Sequence, residues 1–495
     1  MKDLLAWSKS WINEKKKNYI GGEWVTGNQD KIYENENPAT NEILSRWNMA
    51  SFEDVNHSIY EANAAFKSRS WIDLPMRKRA SLLRSIGSLI RQHENEFAIL
   101  ESLANGKTYK EALTGDLPDC SDIFDYYAGW IDKVYGESVP VEKGFINFTR
   151  KEPLGVCALI VPWNFPLLMA CWKLAPALSM GNSIIIKPSE HTPFSLIRLF
   201  QLIDENLDLP KGLINLVLGD GFVGEYLSSH SNVHKVSFTG STKVGKNIIS
   251  RSCRSSLKSL SLELGGKSPN IIFADCPDLK EAINRSFDVM FSHKGEKCSE
   301  PTRFYLEESI YDKVLQGLVS KANNIICGDP LSSQSDQGPQ CHKLHFDKII
   351  EYIDSGIKEG AKLECGGFFD DKANNGKGYY VRPTIFSNVN SSMRICQEEI
   401  FGPVLCISKF KTENEALALA NNSMYGLAAG VWTSDISRAH RMAQEIDAGM
   451  VFINRYGCYD FSSPFGGFKE SGWGKDMAIH SIDSYTKTKS VWIQI

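Results

Sequence analysis

The chain has 495 residues, 42% of them hydrophobic and 23% charged, with a net charge of −4 at pH 7. At roughly 150 residues per domain this allows two or three domains of ordinary globular composition around a large core. The slight acidity argues against a nucleic-acid partner. Twelve cysteines without a Cys-x-x-Cys pair fit a reducing, cytoplasmic setting rather than a disulfide framework.

The N-terminal apolar run Leu4-Leu5-Ala6-Trp7 is too short for a secretory signal. The longest apolar stretch, 154–172, is broken by Pro162, Asn164 and Pro166. It reads as a buried strand, a turn and a helix rather than a membrane span. Apolar runs recur at 154–161, 183–187, 213–218, 235–238 and 257–262, with helical periodicity between them at 194–206 and 243–254. The first three runs are rich in Val, Ile and Leu, as strands covered on both faces should be. Alternation of strand and helix predicts a parallel sheet flanked by helices.

A second α/β region follows. Strands are expected at 270–273, 384–386 and 404–409, and helices at 278–291, 310–322, 343–359, 412–421 and 436–446. The Gly-rich span 366–378 predicts a surface loop, and 487–495 a terminal strand that pairs with another subunit or docks on its own chain. His342-x-x-His345 beside Cys341 has metal-like spacing but no second half, so no metal site is expected.

Several segments carry chemistry. Cys298 follows Gly295-Glu296-Lys297, and Glu263 lies in Leu262-Glu263-Leu264-Gly265-Gly266-Lys267. A thiol can attack a carbonyl, and a carboxylate can take a proton from that thiol or from water. Lys297 directly precedes the cysteine, and an inward-pointing ammonium would acidify it. Pro162-Trp163-Asn164-Phe165-Pro166 offers an amide donor on a rigid turn. Nucleophile, base and oxyanion donor are the minimum set for covalent chemistry at a carbonyl.

Phe238-Thr239-Gly240-Ser241-Thr242-Lys243-Val244-Gly245 follows a strand and opens a helix, which suits a phosphate as well as it suits a plain helix cap. Lys187-Pro188-Ser189-Glu190 ends another strand, where a Lys and a Glu can bind ribose hydroxyls or simply pair with each other. Glu398-Glu399-Ile400-Phe401-Gly402-Pro403 places a carboxylate beside an aromatic ring, or forms a polar turn before a buried strand.

Together these motifs, with Tyr19–Trp24 at one end and Pro464-Phe465-Gly466-Gly467 at the other, resemble the aldehyde dehydrogenase superfamily over nearly the whole chain. The resemblance implies two doubly wound α/β domains and a small β element for oligomerisation. The dinucleotide-binding domain would be 1–132 with 152–264, the catalytic domain 265–479, and the oligomerisation element 133–151 with 480–495. It also implies NAD as cofactor, a small-molecule aldehyde as substrate, and a homodimer or homotetramer, with neither a nucleic acid nor a membrane as partner. Cys298 would be the nucleophile, Glu263 the base, and Asn164 an oxyanion donor. Lys187 and Glu190 would hold the adenosine ribose, Trp163, Gly240 and Ser241 would lie near the pyrophosphate, and Glu399 and Phe401 would position the nicotinamide end. Lys173 and Asp476 fall where the family keeps polar groups, Asp476 replacing a more usual Glu.

Phe165, Met169, Trp172, Tyr459 and Phe465 would line the aldehyde tunnel, with Asp116, Asp119 and Asp460 adding negative charge. That charge favours a cationic amino- or betaine-type aldehyde. A neutral aliphatic or aromatic aldehyde, a CoA-acylating semialdehyde dehydrogenase and a non-catalytic homologue are the alternatives. Glu296, Lys297 and Glu300 depart from the family's usual residues around the cysteine.

Overall fold

The computed structural model describes residues 2–29, 31–367 and 376–495; most of the loop expected at 366–378 lies outside them. Five parallel strands form the centre of the first sheet, in the order Ile214–Leu216, Ser183–Lys187, Val156–Ile160, Lys235–Thr239, Ser259–Glu263. Every residue of the middle three is buried, which explains their unbroken apolar character. Antiparallel additions close both edges: Asn18–Ile20 with Glu23–Val25 on one side, and Gly472–Trp473 beside Leu262 and Glu263 on the other.

From Val156–Ile160 the chain builds outward through Ser183–Lys187 to Ile214–Leu216, then returns to the other side of the first strand at Lys235–Thr239. That reversal leaves a crevice at the carboxyl ends of Val156–Ile160 and Lys235–Thr239, the usual ligand position in open α/β sheets. Helix Pro166–Ser179 is buried along its whole length. It lies between the sheet and the helices Met76–Gln92 and Leu117–Ala128, in one hydrophobic core that draws on residues from Trp11 to Tyr485. A helix wrapped on all sides has no need of a polar face.

The second sheet has the order Lys362–Cys365, Thr384–Ser387, Val404–Phe410, Arg303–Glu307, Pro269–Ile272, Ala428–Trp432, Met450–Ile453, parallel except for its first pair. The terminal strand Thr486–Gln494 docks on its own chain, pairing antiparallel with Phe145–Pro153, which in turn pairs with Ser138–Val139. Among the described residues no helix is long and apolar enough to cross a membrane.

One ion pair ties the C-terminal segment to the first core. Lys173 Nζ donates to Asp476 Oδ2 at 2.8 Å, with both side chains essentially sealed from solvent. Removing one partner leaves an uncompensated buried charge. Asp476→Ala should therefore lower stability by about 3 kcal/mol in urea unfolding, and an unchanged midpoint would show that the pair carries no net weight.

Candidate active site

A cavity of about 590 Å³ opens at the crevice and runs between the two sheets. The first sheet contributes Pro162, Trp163, Asn164, Thr239, Gly240, Ser241, Glu263 and Gly265, all at or just past the carboxyl ends of strands. The second contributes Cys298, Glu399, Phe401 and Tyr459 from its connecting loops. Thus Cys298, Glu263 and Asn164, separated by up to 134 positions (298 − 164), share one cavity wall.

The loop that presents Cys298 is held under strain. After helix Leu279–Phe291, three consecutive residues adopt left-handed backbone: His293 at φ 49°, Lys294 at φ 60° and Gly295 at φ 73°. Such conformations are costly for side-chain-bearing residues and need surrounding contacts to enforce them. At Gly295 a Cβ would lie 2.2 Å from the Gly402 carbonyl carbon, so only glycine fits.

The enforcing contacts are polar and buried. Lys294 Nζ donates to the Asn105 carbonyl and side-chain oxygen, each at 2.8 Å, and pairs with Glu296 at 2.8 Å. Asn105 Nδ2 donates to the Trp163 carbonyl at 3.0 Å, and Asn164 Nδ2 donates to the Glu296 carbonyl at 2.8 Å. The Glu296 carboxylate also accepts from the Cys341 N–H at 3.0 Å. Burial raises its pKa to about 6 against the opposing pull of Lys294. Lys294 and Asn105 were not legible as site residues. The family departure at Glu296 was the one signal pointing to this network.

Burial also governs the reactive groups. The Cys298 thiol is pushed far above its ordinary pKa by burial, then by the nearby carboxylates Glu263 and Glu399. Lys297 does not offset this. Its ammonium turns away to donate to the Val289 carbonyl at 2.6 Å and Ser292 Oγ at 2.5 Å, and lies 3.9 Å from Glu300. The condition under which Lys297 would acidify Cys298, an inward-pointing ammonium, is therefore not met.

Glu263 is raised well above the usual carboxylate range by burial and by the charge of Asp476. One of its oxygens, Oε2, has no hydrogen-bond partner. The other packs against Gly466, where a Cβ would come within 2.4 Å and φ is +151°.

At the crevice end, Glu399 accepts from the Gly266 N–H at 2.9 Å. Phe401 has φ +64°, and its carbonyl accepts from His345 Nε2 at 2.7 Å. Its ring meets Trp163 edge-on at 5.4 Å. Helix Thr242–Ser255 points its N-terminus here, with Ser241 Oγ accepting from the Val244 N–H at 3.4 Å. Lys187 and Glu190 stand outside this cavity. Lys187 Nζ donates to the carbonyls of Pro188 and Gly219, each at 2.7 Å, with Glu190 3.8 Å away.

The opposite end is aromatic. Phe165, Met169, Trp172, Tyr459 and Phe465 all line it, with Trp172 against Phe465 at 5.0 Å and Tyr459 against Phe465 at 5.7 Å. Tyr459 Oη and Ser299 Oγ are 2.7 Å apart. The three aspartates expected here part company. Asp116 reaches the wall but pairs with Lys107 at 2.6 Å and His293 at 3.0 Å. The Lys107 ammonium and the hydrogen bond with the His293 ring outweigh its burial and hold its pKa at about 2. Asp460 is not on the cavity wall. It is exposed and accepts from the Ser462 N–H at 2.8 Å. Asp119 lines the cavity without a hydrogen-bond or ion partner among the described residues, and burial with its acidic neighbours Asp116 and Asp122 lifts it to about 6.

Residues 24–491 match the model of the aldehyde dehydrogenase family. The chain belongs to the aldehyde dehydrogenase family. Human aldehyde dehydrogenase 1A1 is 43% identical over 479 residues, covering 96% of this chain and 94% of that protein. The cytosolic 10-formyltetrahydrofolate dehydrogenase of Xenopus tropicalis is 40% identical, and this chain spans 53% of its length. Among solved structures, betaine aldehyde dehydrogenase from Staphylococcus aureus in complex with NAD+ superimposes with a TM-score of 0.96. It is 37% identical and covers 99% of this chain and 97% of that one.

The orientation of Lys297 yields a direct test. In Lys297→Met, the pH dependence of Cys298 alkylation by iodoacetamide should match that of the parent, followed by peptide mass spectrometry. A shift of the alkylation profile to higher pH would show that the ammonium does acidify the thiol.

Proposed function

We propose that this protein oxidises an aldehyde to a carboxylic acid with NAD+, through covalent attachment of the substrate to Cys298. The observation that carries the reading is the single cavity that exposes Cys298, Glu263 and Asn164 together at the sheet's switch point. The crevice residues fit a dinucleotide. A helix N-terminus opens at Ser241 for phosphate, Glu399 and Phe401 flank the wall beside Trp163, and Lys187 with Glu190 would take ribose hydroxyls. The Glu190 carboxylate would repel a 2′-phosphate, which favours NAD over NADP. When bound, NAD+ supplies a hydride acceptor.

The protein's own groups account for the rest. Cys298 gives its thiol proton to the ionised Glu263 carboxylate as the sulfur adds to the aldehyde carbon, giving a tetrahedral thiohemiacetal. The Asn164 amide and the Cys298 backbone N–H hold its oxyanion, an effect worth about 3 kcal/mol per donor. Loss of hydride leaves a thioester on Cys298. Glu263, with Oε2 free of protein partners, then takes a proton from the water that hydrolyses it.

The aromatic end seats the body of the substrate. Asp119 is the one aspartate of the three left to attract a cation, which is what supports an amino- or betaine-type aldehyde over a neutral one. A dimer or tetramer built on the Phe145–Pro153 and Thr486–Gln494 strands completes the reading, with the 1–132 plus 152–264, 265–479 and terminal β segments as its units.

Cys298→Ser should nearly abolish NADH formation, and Asn164→Ala should lower kcat about 10²-fold. Normal turnover in Cys298→Ser would refute the covalent route. Because the Glu263 pKa is raised, its ionised fraction grows as pH rises, so thioester hydrolysis should accelerate with pH. Glu263→Gln should lose that limb and accumulate acyl-enzyme visible by mass spectrometry. A pH profile identical to the parent's would exclude Glu263 as the base.

A further inference from the structure

The substrate half of the cavity carries two ionisable groups of opposite sign that no described residue neutralises. Asp119 is one. Arg285 is the other: its Nε donates to the Tyr456 carbonyl at 2.9 Å and its Nη2 to the Gly457 carbonyl at 3.0 Å. Those bonds aim a half-buried guanidinium at the cavity and leave Nη1 without a partner. No carboxylate lies within ion-pair distance of it among the described residues. The other charges on this half of the wall are already satisfied. Asp116 pairs with Lys107 and His293, Asp288 lies 3.6 Å from Lys321, and Lys297 is engaged by backbone and by Ser292.

We infer that the substrate is an amphoteric aldehyde, carrying an ammonium for Asp119 and a carboxylate for Arg285 at the end remote from its carbonyl. The inference rests on reading this cavity as an aldehyde-oxidising site and narrows the substrate class within it. A partly desolvated ion without a partner is unfavourable, and the two do not relieve each other by pairing. A ligand of one sign would satisfy one of them and repel or ignore the other. A ligand bearing both signs satisfies the pair. The guanidinium is suited to a carboxylate, for which its remaining N–H groups form a ready donor edge. Anchoring by two carbonyls means that little side-chain freedom is lost on binding. Tyr459 sits in the field of Arg285 and bonds to Ser299, next to the nucleophile. Asp119 lines the same cavity, three residues on from Asp116, which pairs with the His293 ring that packs on Phe165 at 4.7 Å.

The test uses the full-length protein, NAD+ and matched aldehydes in four- and six-carbon versions: the plain alkanal, the ω-oxo acid, the ω-trimethylammonio alkanal, and the ω-oxo acid bearing a trimethylammonio group at its 2-position. Trimethylation keeps the amine from cyclising onto its own aldehyde. The doubly charged member is expected to have the highest kcat/KM, by about tenfold over the alkanal. Arg285→Gln should raise KM about tenfold for the two carboxylated aldehydes only, with kcat little changed. Arg285→Lys should recover part of that loss, and Asp119→Asn should penalise only the two ammonium-bearing aldehydes. Equal losses on all four aldehydes in Arg285→Gln would show that the residue merely supports the Tyr456–Gly457 backbone, overturning the inference. An alkanal preferred by the parent protein would overturn it too, while leaving aldehyde oxidation intact. Absence of turnover with every aldehyde would sink the underlying reading of the site as well.

Discussion

A buried ammonium holds this site together. Lys294 sits in the interior with Glu296 as counter-ion and Asn105 as acceptor, and its neighbours connect loops from both sheets. Asn105 reaches the Trp163 carbonyl, and the Glu296 carbonyl receives Asn164. The cysteine loop and the Pro162–Pro166 turn are thereby fixed face to face by a closed circuit of hydrogen bonds. A buried charge tolerates no partial satisfaction, so the circuit is all-or-none. That is the condition under which three successive left-handed residues can persist before Cys298.

The same dryness sets the resting state of the reactive groups. Cys298 and Glu263 are both biased toward their neutral, protonated forms by burial. A thiol held this way resists stray alkylation and oxidation, since the thiolate is the reactive species. It also means that reactivity depends on what enters the cavity. A cationic ring bound near Glu399 would favour the thiolate by direct attraction, and water entering the cavity would restore solvation around Glu263.

The sequence made some of this plain and hid the rest, for physical reasons. The strands at 156–160, 183–187 and 214–216 announced themselves because burial on both faces demands Val, Ile and Leu. Arg303–Glu307 did not, since Arg303 is buried at its start by bonding to the carbonyls of Lys267, Leu419, Ala420 and Asn422, a solution invisible to hydrophobic periodicity. Ala428–Trp432 lacks a β-branched run, and its alanines fit close packing that only the neighbouring strands define. Within the site, Cys298, Glu263 and Asn164 were legible from the glycines and prolines that frame them. The side chains of Lys297 and Asp116 were not, because their direction is chosen by partners elsewhere: Asp116 is spent on His293, 177 positions away.

Charge pairing separates scaffold from chemistry around Cys298. Asp476, Glu296 and Glu300 are buried carboxylates, and each faces a lysine: Lys173 at 2.8 Å, Lys294 at 2.8 Å and Lys297 at 3.9 Å. None of these three lines the cavity. Glu263 is buried and Glu399 half-buried; neither has a lysine within ion-pair distance among the described residues, and both line it. The Gly266 N–H meets part of the Glu399 desolvation, while Glu263 Oε2 has no hydrogen-bond partner among the described residues, a shell that water or a ligand in the cavity can complete. The carboxylates without a lysine partner are thus the two on the cavity wall, and by the same accounting Asp119 and Arg285, which line it too, extend the pattern.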